Sequence, residues 1–130
     1  MRWFQKTRQP DIWEKVDAQP LGDIEAAQRI REICASAGSI AAGMAGDSRR
    51  ETEADRATEG ERYQAAIKRA LEIAMRISDD AMRDIAVGQI IRLCVTVHHM
   101  KTAKILLRAI RSPATQAELL ADNPSLRDLD

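Results

Sequence analysis

Apolar side chains recur at steps of three and four residues along most of this chain, the period of one face of an α-helix. Ile24, Ala27, Ile30, Cys34 and Ala37 follow it, with Ile33 beside them and Glu25, Arg29 and Glu32 elsewhere on the wheel. The pattern predicts a helix over 24–37, with Asp23 as its N-cap and Gly38 as its stop. A second stripe, Tyr63, Ala66, Ile67, Ala70, Leu71, Ile73, Ala74 and Ile77, predicts a helix over 62–77. A third, Met100, Ala103, Leu106, Leu107 and Ile110, predicts one over 100–111, and a short helix over 115–121 follows Pro113.

Residues 81–98 pose a choice of period. Ile91, Leu93, Val95 and Val97 alternate with Arg92, Cys94 and Thr96, as in a strand. No other segment offers a pairing partner, however, and a lone strand leaves its backbone unsatisfied. The stretch therefore reads as a helix apolar on most sides, hence the central one, with Ser78-Asp79-Asp80 ending the helix before it and capping it.

The remaining segments are less regular. Gly43, Gly46 and the polar run 47–51 predict a flexible segment near 39–50, after which Glu51 to Arg62 extends the next helix. Residues 1–22, punctuated by Pro10 and Pro20, read as an irregular arm carrying Trp3, Phe4, Ile12, Trp13 and Val16. Residues 123–130 read as a frayed tail. The expected architecture is all-α, a compact bundle of about five or six helices in one domain over 23–122.

Composition agrees with a packed core: 45% of residues are apolar, and with only 3% aromatic the core must be filled by Ala, Ile, Leu, Val and Met. The longest apolar-dense run, Ile85–Val97, spans 13 residues and is broken by Gln89 and Arg92, too short for a membrane. Met1–Lys6 is followed by no apolar segment of the kind that marks a secretory signal. A cytoplasmic protein without membrane contact is expected. Overall charge is zero but uneven: residues 62–111 hold ten bases against four acids, or +6, and residues 112–130 hold one base against four acids, or −3.

A shift of 33 residues lays Ala66–Ile77 over His99–Ile110. Lys68/Lys101, Ala70/Ala103 and Ile77/Ile110 are identical, and Ile67/Met100, Ile73/Leu106 and Ala74/Leu107 are apolar in both. With Ala103, Leu107 and Ile110 at the small and large apolar positions of a second helix, residues 66–115 resemble tetratricopeptide-type helical repeats. The first-helix positions would be Val87, Ile90, Ile91 and Cys94, apolar but different from the family's Trp, Leu, Gly and Tyr, and the closing proline falls at Pro113 rather than at Thr115. One unit earlier the same frame gives Ala54, Ala57, Thr58 and Glu61, too polar for a packed first helix. The resemblance implies α-solenoid-like stacking in the C-terminal half.

Candidate chemistry is sparse. Cys94 and His98 share a helical spacing that suits a metal or a nucleophile–base pair, but the chain has only one other cysteine and, besides the adjacent His99, no other histidine. Buried free thiols beside a helix-ending histidine pair account for them. Asp79 and Asp80 suit capping, and Gly38, Gly43 and Gly46 lack the spacing of a phosphate loop. No cofactor or metal is expected. Lys101, Lys104, Arg108 and Arg111 follow i, i+3, i+7, i+10 and form a basic face. The expected function is a non-enzymatic protein–protein interaction module, binding another protein or itself through Trp3, Phe4 and Trp13, through this basic face, or through both. Self-association would use helix 81–98. The alternative is a nucleic-acid-binding protein whose helices 81–98 and 100–111 form a helix-turn-helix pair.

Overall fold

The computed structural model describes residues 11–14, 21–45 and 53–127. These form five α-helices: α1 (Asp23–Ala45), α2 (Glu53–Ala74), α3 (Asp80–Thr96), α4 (Met100–Ala109) and α5 (Pro113–Asp122). Short 3-10 turns cover Ile12–Glu14 and Pro124–Arg127. The described residues contain no strand, and the architecture is the all-α bundle that the apolar periods predict.

Helix α3 is the hub. It packs on α1, α2, α4 and α5, and Ala86, Val87, Ile90, Ile91, Leu93 and Cys94 are all buried. Its solvated stripe (Ala81, Ile85, Arg92 and Thr96) is narrow and half apolar, so the sequence loses the 3.6-residue signature. That resolves the choice at 81–98 in favour of helix. Most of its apolar surface is therefore buried inside the chain, with Ile85 left as an exposed large apolar residue.

Helix α1 runs on through Gly38 to Ala45, so the stop expected at Gly38 and the flexible segment expected from residue 39 do not occur there. Ile40 and Ala41 pack against the core, which offsets the roughly 1 kcal/mol that a glycine costs inside a helix. Residues 46–52, the rest of that expected segment, lie outside the described residues. The buried face of α1 is Ala26, Ile30, Ile33 and Ala37, whereas Ile24, assigned to the core by its spacing, is exposed.

Two carboxylates hold the helical hairpins closed. Asp23 does not cap its own helix. Its Oδ1 accepts the Ser78 backbone N–H at 3.0 Å, and its Oδ2 accepts the Ser78 hydroxyl at 2.8 Å and the Asp79 N–H at 3.0 Å. The Ser78 backbone donor is the main reason its carboxyl titrates below the ordinary value of 3.8, with the Ser78 hydroxyl second. Asp84, buried on α3, accepts the backbone N–H groups of Arg111 (3.2 Å) and Ser112 (2.9 Å). Ser78-Asp79 and Arg111-Ser112 correspond under the 33-residue shift. In both hairpins the first helix supplies an acid that grips the turn after the second.

The connections use local chemistry. Asp79 caps α3 by accepting the Met82 N–H, and Ser112 caps α5 by accepting the Thr115 N–H, with Pro113 in the first turn. The α3–α4 turn is a Schellman motif: His98 (φ 66°) donates to the Val95 carbonyl and His99 to the Cys94 carbonyl. Gln116 Nε2 donates to the Leu107 and Ile110 carbonyls at the end of α4. Residues 124–127 are not frayed: Leu126 is buried in the core, which is what anchors that turn.

Candidate functional site

Helices α2 and α4 both pack on α3 but make no substantial contact with each other. The gap between them is an open groove of about 510 Å³. Ile67 and Leu71 of α2 and Met75, the residue just after it, line one wall at i, i+4 and i+8, with Gln64, Lys68 and Glu72 around them. His99 and Thr102 line the opposite wall. Ile105 stands one turn beyond Thr102 on the same side of α4.

Burial is graded across the groove. Ile67 is buried and Leu71 half-buried, whereas Met75 is 58% and Ile105 57% exposed. Lys68, in the lining, is exposed, as are Lys101 and Arg108 on α4. Lys68 and Lys101 are an identical pair under the 33-residue shift, here placed on α2 and α4. Glu72 is ion-paired with Arg69 at 3.4 Å.

The sequence-derived candidates separate. Trp3 and Phe4 lie outside the described residues. Trp13, expected as an exposed anchor, is corrected: it is 4% exposed and belongs to the core. The Ile12–Glu14 turn seats it against α1 and α2, secured by Arg62, whose Nη2 and Nε donate to Asp11 at 2.7 and 3.0 Å. Lys101 and Arg108 are exposed on α4 and Lys104 is half-buried. Arg111 departs from the expected single face, because α4 ends at Ala109 and its guanidinium turns toward Asp80 at 3.4 Å. The groove itself was missed. The available signals were Met75, which prolongs the Ile67–Leu71 line, and Ile105, an apolar residue off the stripe of its own helix.

The Cys94/His98 spacing does not produce a pair on one helix face. α3 ends at Thr96, Cys94 is fully buried and His98 is exposed in the left-handed turn. Burial pushes the Cys34 thiol up to about 11 and the Cys94 thiol up to about 12, the latter also through the neighbouring Cys34. Both stay protonated at neutral pH, unlike an activated nucleophile. Among the described residues no three His, Cys, Asp or Glu side chains gather as a metal-binding group, and no helix is long and apolar enough to cross a membrane. In comparisons with known proteins, no family model, curated protein or solved structure matches the chain.

Proposed function

We propose that this chain is a non-enzymatic helical interaction module that receives a segment of another protein in the groove between α2 and α4. The observation that carries the reading is a line of apolar side chains left open along this groove. Ile67 and Leu71 form its floor, Met75 stands exposed above it, and Ile105 is exposed on α4 one turn from the lining Thr102. Exposed apolar side chains scattered singly are ordinary, but a contiguous set along a groove is the geometry into which an amphipathic helix lays its apolar face. Ile67 to Met75 spans eight residue steps, or about 12 Å, enough for two turns of a bound helix. The internal correspondence of α2 and α4 adds support, since repeated hairpins commonly present such extended surfaces.

A photo-crosslinking residue at position 75 tests this reading, with the same residue at Ala117 on the exposed side of α5 as control. Crosslinks to one protein from position 75 and not from 117 are expected in the native cell. Equal labelling at both positions, or none, would remove the groove from consideration. Crosslinks to nucleic acid instead would favour the second reading, in which Lys101, Lys104 and Arg108 of the acid-free helix α4 meet phosphates.

A further inference from the structure

We infer that the groove's occupant is an amphipathic helix of a partner protein whose apolar face is bordered by acidic residues. This rests on the reading of the α2–α4 groove as a docking site and adds the chemistry of what docks. Both sides of the groove combine exposed apolar side chains with cations. On the α2 side, Ile67 and Leu71 line the floor, and Met75 and Lys68 are exposed. On α4, Thr102 lines the groove, and Ile105, Lys101 and Arg108 are exposed on the same helix. Helix α4 contains no acid, and Glu72, the acid lining the groove, already pairs with Arg69. A helix seated on the apolar floor therefore has Lys68 on one side and the acid-free, basic helix α4 on the other, and flanking carboxylates complement both.

The same charges disfavour two other occupants. A second copy offering this surface to itself would bring Lys68 and Lys101 against like charges across an isologous contact. The chain's own first eight residues carry Arg2, Lys6 and Arg8 and no acid, again the wrong sign.

Two fluorescein-labelled helical peptides of 16 residues, a length on the order of four turns, distinguish the outcomes. Both carry leucines at three- and four-residue spacing, bordered by Glu in one and by Lys in the other, and anisotropy is read against the full chain. The Glu-bordered peptide is expected to bind at least tenfold more tightly, with affinity falling as salt rises. Met75→Glu and Ile105→Glu, both at exposed positions, should each weaken it tenfold or more, while Ala117→Glu leaves it unchanged. Lys68→Glu and Lys101→Glu should weaken it at low salt and much less at high salt. Matching thermal melts by circular dichroism show that the variants fold. Equal or tighter binding of the Lys-bordered peptide, still lost with Met75→Glu, overturns the inference and leaves the groove reading standing. Binding of either peptide that ignores Met75→Glu and Ile105→Glu, or no binding, overturns the inference and counts against the groove. A dimer in light scattering that Met75→Glu dissolves assigns the groove to a second copy and overturns the inference as well.

Discussion

At the scale of single residues, Asp84 shows how much one side chain can organise. It is the buried charged residue among the described positions, and its two oxygens answer two consecutive backbone N–H groups where α4 gives way to α5. Removing the acceptor leaves both donors without a partner in a partly buried turn. Asp84→Ala is expected to cost about 2–4 kcal/mol in urea denaturation, and Asp84→Asn, which keeps an accepting oxygen, distinctly less. His98 presents the opposite case. Its left-handed φ of 66° serves the Schellman turn at a cost that glycine avoids. His98→Gly should stabilise the protein by about 1 kcal/mol, and a lower melting temperature would show that the imidazole itself matters there.

At the scale of elements, α1 is longer than its glycine suggests because its far end packs on the core. Gly38 sits in the helix interior, and a Cβ added there meets nothing within 4 Å. Gly38→Ala is accordingly predicted to raise stability by about 1 kcal/mol in chemical denaturation, with no change in the slope of the transition. A loss would mean that the site is closed to a methyl group. Helix α4 shows the complementary dependence on its neighbours. At ten residues it is too short to persist alone in water, and it relies on the Schellman turn before it, Gln116 on its last carbonyls, and Asp84 beyond. The basic face read from Lys101 to Arg111 assumed a longer helix. It lost Arg111 because Ile110 takes an extended conformation to reach Ser112.

For the whole molecule, the buried thiols tie stability to alkaline pH. Cys34 on α1 and Cys94 on α3 are near neighbours, and folding raises both from 9.0, to about 11 and about 12. The folded state then holds protons that the unfolded chain has released, so stability falls as pH rises from about 9 through those values. Urea midpoints measured between pH 8 and 10.5 should decline more steeply for the native chain than for Cys34→Ala with Cys94→Ala. Parallel declines would exclude the thiols as the cause. The groove prediction belongs to this scale too, because α2 and α4 make a surface only through their common seat on α3. Met75→Glu and Ile105→Glu should abolish docking while leaving the melting temperature nearly unchanged, since both side chains already lie largely in water.

The sequence by itself determined the helices, since a 3.6-residue apolar period, an Asp before α3 and a Ser-Pro before α5 act through neighbours a turn away. It also contained the 33-residue correspondence, whose identical apolar pairs Ala70/Ala103 and Ile77/Ile110 are all buried. Tertiary structure alone decided which apolar residues are covered and which acids reach across the chain. Trp13 is buried next to Asp11, which Arg62 holds from 51 positions further along the chain. Asp23 spends its oxygens on a turn 55 residues distant rather than on its own helix. Met75 and Ile105 remain open because α3 holds α2 and α4 apart. Contacts between positions so remote leave no periodic trace in either segment, and the groove exists only where the helices fail to meet.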